Sequence, residues 1–215
     1  MTQLNLPTWP AFSSEEVETV SQILTSSRVN YWTGDEGKQF EKEFSSWTGV
    51  KYSIALANGT IALELALRSL NLSPDDEVIV SPRSFIASVS SVISTGSIPV
   101  FADVDSESGN ITASSIAKVL TKKTKAIVCV HLAGWPCDMK SIMDLANKNN
   151  IYVIEDCAQA HGASSKGKSV GSMGHIGAWS FCQDKIMSTG GEGGMVTTND
   201  ESIWKSMWEY KDHGK

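Results

Sequence analysis

Short apolar runs alternate with helical patterns along most of this chain, and this alternation limits the possible folds more than any other feature. Apolar runs of strand length occupy residues 53–57, 77–81, 100–103, 126–130 and 152–155. Between them lie patterns of helical spacing at residues 60–70, 85–95, 113–120 and 139–147. Strand and helix in regular succession predict a mainly parallel sheet with helices on both faces. The runs carry few polar residues, as expected of strands covered on both sides.

A helical segment of about residues 1–50 is expected before the sheet. Ser13 and Glu16 form a capping box ahead of Val17, and this pattern predicts a helix that begins at Ser13. A second helical pattern covers residues 37–47. Large aromatic side chains in this segment have little sequence around them to cover them, which predicts an interface between subunits; these are Trp9, Phe12, Tyr31 and Trp32.

Composition excludes several classes of protein. The 24 acidic residues outnumber the 18 basic ones, for a formal charge of -6, which argues against nucleic-acid binding. No apolar run approaches the ~18 residues that span a bilayer. Residues 1–10 lack the basic and apolar regions of a secretion signal. The four cysteines form no CxxC pair, so we expect reduced thiols in a cytoplasmic protein, with no metal site.

The first strand is followed by Asn58-Gly59-Thr60 at the start of an apolar helix. Ligands of parallel sheets bind beyond the carboxyl ends of the strands, and a helix N-terminus favours anions. These residues therefore suit a phosphate site, although Asn, Gly and Thr also suit an ordinary helix cap. The sequence has neither a GxGxxG nor a GxxxxGK[ST] motif here, which disfavours dinucleotide and ATP binding.

Two further strand ends carry candidate site residues. Asp156 ends the fifth run and Gln159 follows one helical turn later; Asp156 is interpreted either as a helix cap or as the partner of a protonated ring nitrogen. His161 is either a cofactor neighbour or, as we prefer, a core residue with its polar atoms satisfied. Lys185 lies between an apolar strand that ends at Ser180 and a glycine-dense loop. Partial burial favours the neutral amine, which can form a Schiff base.

In this order, the motifs resemble the DegT/DnrJ family of nucleotide-sugar aminotransferases, among the fold type I enzymes that use pyridoxal 5'-phosphate (PLP). The resemblance runs from about Asn30 to the end of the chain. The motifs that carry it are Asn58-Gly59-Thr60-Ile61-Ala62-Leu63, Pro82-Arg83-Ser84-Phe85-Ile86-Ala87-Ser88, Glu155-Asp156-Cys157-Ala158-Gln159-Ala160-His161-Gly162, and Ser180-Phe181 ahead of Lys185 and Gly191-Glu192-Gly193-Gly194.

The resemblance implies a role for each matching position. Lys185 would bind the cofactor covalently and shuttle the proton, and Asp156 would keep the ring nitrogen protonated. Phe85 would stack on the ring and Gln159 would touch its hydroxyl side. The phosphate would be held by Asn58, Gly59, Thr60 and Ser180. Two positions depart from the family's pattern: Asn58 replaces a common Ser, and Ser88 replaces a common Thr.

At the level of the molecule, the resemblance implies that residues 1–215 form a large domain like that of aspartate aminotransferase. It also implies a small C-terminal domain that this chain lacks, and a homodimer whose subunits complete each other's sites. The implied reaction moves an amino group from glutamate to a keto group of a nucleotide-linked sugar. Three alternatives stay open: a PLP-dependent sugar dehydratase, which Lys185 disfavours because such relatives carry histidine there; a catalytically incomplete relative; and an NAD-linked oxidoreductase.

Overall fold

The computed structural model of the protein describes residues 8–214. Two helices, α1 (Ser14–Ser26) and α2 (Glu36–Thr48), precede the first strand. The other helices are α3 (Gly59–Arg68), α4 (Ala87–Ser94), α5 (Ala113–Val119), α6 (Met139–Asn149) and α7 (Glu201–Lys211). The strands are β1 (Tyr52–Leu56), β2 (Glu77–Val80), β3 (Ile98–Phe101), β4 (Thr124–Val130), β5 (Tyr152–Asp156), β6 (Ser164–Ser165), β7 (Lys168–Ser169), β8 (Ile176–Ser180) and β9 (Gly194–Thr198).

Seven of these strands form one sheet, in the order β1-β9-β8-β5-β4-β2-β3. Neighbours from β8 to β3 pair in parallel, whereas β9 runs antiparallel to both β8 and β1. Strands β6 and β7 form a separate short hairpin. The prediction of a mainly parallel sheet is therefore confirmed, with a single antiparallel strand between β1 and β8.

Helices cover both faces of the sheet. Successive side chains along a strand point to opposite faces, so a separate core forms on each face. On one face, Val128 and Ile154 pack in a core that includes buried residues of α3, α4 and α7. On the other, Ile127 and Val153 pack with buried residues of α5 and α6. A third cluster, which includes Phe44 of α2 with Trp179 and Phe181, lies on this second face. Successive residues of β5 therefore face opposite cores.

The predicted elements shift by a few residues. The third strand begins earlier than expected, at Ile98, because Ile98 and Pro99 pair with β2. The fourth helix begins at Ala87, so Phe85 lies in the loop before it. Helix α7 was not among the predicted helices. Within residues 8–214, no helix is long and apolar enough to cross a membrane.

In the N-terminal segment, helices α1 and α2 lie close to the two predicted helical patterns, while residues 1–7 lie outside the described range. Helix α1 has the predicted capping box between Ser13 and Glu16, and none of its residues is buried. Trp9, Phe12 and Trp32 are exposed, as predicted. The prediction was wrong for Tyr31, because its ring packs 5.2 Å from that of Trp208 and its hydroxyl donates to Glu41 at 3.0 Å.

Candidate functional site

A cavity of about 480 Å³ lies where α3 and the loop before α4 meet the ends of β5 and β8. The structure brings every predicted site residue to its wall: Asn58, Gly59, Thr60, Phe85, Asp156, Gln159, Ser180 and Lys185. These residues come from four separate parts of the sequence. Their convergence follows from the sheet, since the carboxyl ends of neighbouring parallel strands meet at one edge.

The N-terminus of α3 closes one end of the cavity. Asn58 caps this helix, because its side-chain oxygen accepts the Ile61 amide at 2.9 Å. Helix α3 comes so near β8 that a Cβ added at Gly59 would lie 2.6 Å from the Cβ of Ser180. Among the described residues, the Gly59 and Thr60 amides have no hydrogen-bond acceptor. Free amides at a helix N-terminus, beside the Ser180 hydroxyl, suit a phosphate group.

Asp156 also lines the cavity, and its carboxylate is bonded to α4, which packs on the same face of the sheet as α3. Its side chain is largely buried, and burial raises the pKa of its carboxyl above the ordinary value. Two hydrogen bonds oppose that rise: the Ser88 hydroxyl donates to Oδ2 at 2.7 Å and the Ala158 amide to Oδ1 at 3.2 Å. A cationic ring nitrogen would stabilise the carboxylate further, because it would supply the opposite charge at a buried position.

Gln159 and Phe85 also line the cavity. The Gln159 side-chain oxygen accepts the Ala133 amide at 2.8 Å, which ties the cavity wall to the turn after β4. Phe85 is 68% exposed, so its ring is uncovered by the rest of the described chain. An uncovered aromatic ring on a cavity wall can stack on a flat ligand.

Lys185 lies on the loop after β8, with a side chain that is 21% exposed. Its ammonium group lies 3.2 Å from the carboxylate of Asp184. The indole nitrogen of Trp9 donates to the Lys185 carbonyl at 3.1 Å, so the N-terminal segment contacts this loop. Within the described part of the chain, Lys185 is the one cationic side chain on the cavity wall, beside the carboxylates of Asp156, Asp184 and Glu192.

Glu155 faces the other side of the sheet from Asp156 and belongs to a saturated network. Its carboxylate accepts the Gly171, Met173 and Gly174 amides at 2.9, 2.8 and 2.6 Å. His131 Nδ1 accepts the Cys137 amide at 3.1 Å, so its Nε2 carries the hydrogen and donates to Glu155 at 2.8 Å. Potential ligand atoms of His131, Glu155 and Cys157 lie within 4.8 Å of one another. The hydrogen bonds already occupy the histidine and the carboxylate, so this cluster is structural.

His161 also lies on the far face, with its ring 5.4 and 5.6 Å from those of Trp179 and Phe181. It does not line the cavity. The preferred interpretation as a core residue is right in position but wrong in one respect, because within residues 8–214 neither ring nitrogen has a hydrogen-bond partner of good geometry. Burial lowers the pKa of His161 to about 4, so the ring is neutral near pH 7.

Sequence reasoning missed several members of the cavity wall: Ser84, Cys182, Gln183, Asp184 and Glu192. It also missed the hydroxyl of Ser88 as a partner of Asp156. All five wall residues flank a predicted position directly or lie on the same loop as one, so extending each motif to its neighbours would have found them. Ser88 could not be found in this way, since 68 positions separate it from Asp156.

The arrangement combines an anion-binding end, a buried carboxylate, an exposed aromatic ring and a lysine amine around one cavity. Such a set can hold a flat, phosphorylated aromatic aldehyde. The amine can bind its carbonyl carbon, and the carboxylate can hold its ring nitrogen in the protonated state.

Known proteins with the same fold resemble this chain closely. The solved structure of the aminotransferase from Psychrobacter cryohalolentis is 67% identical, with a TM-score of 0.96, over 97% of this chain and 53% of that one. The GDP-perosamine synthase of Escherichia coli O157:H7 is 43% identical over 208 residues, which are 95% of this chain and 56% of that protein.

Another relative is the UDP-N-acetyl-3-dehydro-alpha-D-glucosamine 3-aminotransferase of Acidithiobacillus ferrooxidans. It is 45% identical over 195 residues, which are 91% of this chain and 52% of that protein. The chain thus spans about half the length of the curated relatives it matches. The predicted fold class, that of the PLP-dependent aminotransferases, is confirmed by solved aminotransferase structures that share this fold. Because the family model matches residues 4–215, the chain belongs to the DegT/DnrJ/EryC1/StrS aminotransferase family.

Proposed function

We propose that this chain carries the PLP site of an aminotransferase that moves an amino group from glutamate to a keto group of a nucleotide-linked sugar. The observation that carries the proposal is the convergence of Lys185, Asp156 and the α3 N-terminus on one cavity of about 480 Å³. We assign residues 1–215 to the large, cofactor-binding domain. The helices of residues 14–48 precede the strands of the sheet along the chain.

The residues around the cavity fit PLP at both of its ends. The phosphate would be held by the Gly59 and Thr60 amides and the Ser180 hydroxyl, while Asn58 keeps the helix N-terminus in place through its cap. The pyridine nitrogen would be held by Asp156, whose burial makes a cationic partner favourable. Phe85 would cover one face of the ring and Gln159 would lie at its edge. When bound, the cofactor supplies an electron sink for the substrate carbon.

Each of these side chains would have a distinct task in catalysis. The Nζ atom of Lys185 would bind the cofactor at rest and, once released, take a proton from one carbon and return it to another. The Nζ atom lies 3.2 Å from the carboxylate of the neighbouring Asp184. Asp156 would hold the proton on the ring nitrogen throughout, as a carboxylate in a buried position.

The proposed acceptor is a nucleotide-linked keto sugar, in accord with the names of the relatives. They include a GDP-perosamine synthase and an aminotransferase for a UDP-linked sugar. Because their nucleotides differ, the class of substrate is proposed and the nucleotide is left open. A PLP-dependent sugar dehydratase stays a weaker alternative, since Lys185 occupies the position where such relatives carry histidine. A catalytically incomplete relative is the other alternative.

We also propose that the protein is a cytoplasmic homodimer. All four cysteines are free thiols, in agreement with a reducing compartment. Within the described residues, Lys185 is the only lysine or arginine on the cavity wall, and its amine is assigned to the aldehyde of the cofactor. A phosphate would gain from a cationic group of a second subunit. The exposed apolar face of α1 offers a surface for that subunit.

The cofactor assignment can be tested by trapping. Purified protein incubated with PLP should turn yellow, and borohydride should fix the cofactor on the peptide that contains Lys185, because reduction makes the Schiff base permanent. The label should be lost in Lys185→Arg and retained in Lys140→Arg, which changes a lysine that is 71% exposed in an ion pair on α6. A label on another peptide would refute the assignment.

A turnover assay tests the reaction itself. Keto-sugar nucleotides with GDP, UDP and dTDP carriers should be offered with glutamate or with glutamine as amino donor. Formation of an amino sugar with glutamate supports the proposal. Turnover with glutamine alone would correct the donor, and cofactor binding without any turnover would favour the catalytically incomplete alternative.

A further inference from the structure

Three side chains form a continuous hydrogen-bonded line from the cavity wall into the protein. Ser84 lines the cavity, and its hydroxyl oxygen lies 2.6 Å from that of Ser88. The Ser88 hydroxyl oxygen lies 2.7 Å from Oδ2 of Asp156. Ser88 is on α4 and is fully buried, whereas Asp156 ends β5. The line therefore joins two elements across 68 positions of sequence.

The number of hydrogens that each group can donate determines which atom is the donor in each of these hydrogen bonds. Each serine has one hydrogen to donate, and an ionised carboxylate can only accept. Ser88 therefore donates to Asp156, and Ser84 in turn donates to Ser88. Both hydroxyl dipoles then point towards the carboxylate and stabilise its negative charge. The Ala158 amide holds the other oxygen at 3.2 Å.

A neighbouring serine provides a contrast within the same helix. Ser91 is also on α4 and is 1% exposed, but its hydroxyl has no hydrogen-bond partner among the residues that the structure describes. Helix α4 thus carries two buried serines, of which one donates to the carboxylate. The hydrogen bond to Asp156 therefore gives the Ser88 hydroxyl a role beyond filling space in a tightly packed position.

We propose that Ser88 is a positioning residue, which keeps the Asp156 carboxylate ionised and oriented towards the ring nitrogen of the cofactor, and that Ser84 supports it from the cavity. The part of this inference that concerns the cofactor rests on the proposed function. The part that concerns the carboxylate rests on the hydrogen bonds alone.

The surroundings of Asp156 explain why such support is needed. Burial raises the pKa of the Asp156 carboxyl, and the Ser88 hydroxyl and the Ala158 amide act against that rise. The titratable groups that act on it electrostatically are His131 at the end of β4, Lys185 on the loop after β8, and Cys157 next to it in sequence. Loss of the Ser88 hydroxyl would leave burial less opposed, so the carboxyl would take up a proton at higher pH.

The first test follows the Asp156 carboxyl by carbon-13 NMR in the protein without PLP. Ser88→Ala should move its titration midpoint to higher pH, and Ser88→Thr, which keeps a hydroxyl, should restore the wild-type midpoint. Ser91→Ala is the matched control and should leave the midpoint unchanged. A Ser88→Ala midpoint equal to that of wild type, or of Ser91→Ala, would overturn the proposal. Thermal unfolding shows whether each variant is folded. If Ser88→Ala is not folded, Ser84→Ala is used instead and should move the midpoint in the same direction by a smaller amount. An unchanged midpoint in Ser84→Ala would then overturn the proposal.

The second test measures the dissociation constant of PLP. Ser88→Ala should weaken binding roughly tenfold or more, the range expected for one hydrogen bond to a buried charged group. Ser91→Ala should bind PLP as wild type does, and equal affinities in all three proteins would overturn the role towards the cofactor. A wild-type protein that binds no PLP would instead refute the proposed function, while the carboxyl titration would still decide whether Ser88 holds Asp156.

Discussion

Two acidic residues adjacent in sequence, Glu155 and Asp156, have entirely different surroundings. Side chains alternate along β5, so Asp156 faces the cavity and Glu155 faces the opposite core. Glu155 is held by three backbone amides and a histidine, whereas Asp156 keeps the capacity to bind a cation. A change of one position in the register would exchange the two environments.

His161 gives a prediction for stability against pH. Its folded pKa of about 4 lies below the ordinary value of 6.5, so the unfolded chain binds a proton more readily between these values. The contribution of this residue to stability is therefore full above pH 6.5 and declines as the pH falls towards 4. In His161→Phe, the loss of unfolding free energy between pH 7 and pH 5 should be smaller by about 2 kcal/mol.

Urea unfolding at the two pH values measures this difference. The control is His213→Asn, since His213 is exposed and has a left-handed backbone with a φ of 62°, which Asn tolerates. Between pH 7 and pH 5, the His213→Asn control should lose as much unfolding free energy as wild type does. An equal loss in His161→Phe would show that the buried ring does not resist protonation.

At this scale, the sequence was sufficient to place the eight predicted residues on the cavity wall and insufficient for their hydrogen-bond partners. Asp156, Lys185 and Gly59 lie directly after strands or at a helix start, where the rule for parallel sheets places ligands. The bond from Ser88 to Asp156 depends on how α4 packs against β5, which no local pattern specifies. The same holds for Tyr31, whose partner Trp208 lies on a helix that was not predicted.

At the scale of elements, the Glu155 network attaches the segment before β8 to β5. Glu155 accepts hydrogen bonds from the amides of Gly171, Met173 and Gly174, all of which precede the strand that ends at Ser180. The network therefore fixes the approach to β8, and β8 in turn carries the serine and the loop of the candidate site.

We predict that Glu155→Gln destabilises the protein by about 3 kcal/mol or more, since it removes the buried, charged acceptor of these hydrogen bonds and turns an amide NH2 towards backbone donors. Urea unfolding at pH 7 measures the change. Glu107→Gln, an exposed position, is the control and should stay within about 0.5 kcal/mol of wild type. Similar stabilities for the two variants would mean that the network contributes little.

The predicted elements were correct where apolar residues recurred at regular spacing and where the strands are covered by helices on both faces. The sequence did not reveal that β9 runs antiparallel between β8 and β1, because the short strand pattern at residues 195–198 is compatible with either direction. The 13 residues between β8 and β9 form a glycine-dense loop, which allows a direct antiparallel return without a crossover helix.

At the scale of the whole molecule, the exposed apolar residues of α1 and the segment before it predict a homodimer. Val17, Val20 and Leu24 are 57%, 56% and 65% exposed, and Trp9 and Phe12 lie uncovered nearby in sequence. A stripe of this kind in a soluble protein marks a contact surface. Sedimentation across a concentration series should show a dimer at tens of micromolar, an order of magnitude set by typical interface affinities.

The double variant Val20→Glu/Leu24→Glu should sediment as a monomer, because it places two charges in the apolar stripe. The matched control is Gln22→Glu, which adds a charge on the opposite side of α1 and should leave the dimer intact. A wild-type monomer over the same concentrations would contradict the proposal that a second subunit covers α1.

Helix α1 is 13 residues long and none of them is buried in a single subunit. Helices of this length are only marginally stable in water on their own, even with a capping box. If a second subunit covers α1, much of its helical stability comes from association, so folding of this segment and assembly become one thermodynamic event. The melting temperature of the protein would then rise with its concentration, by mass action.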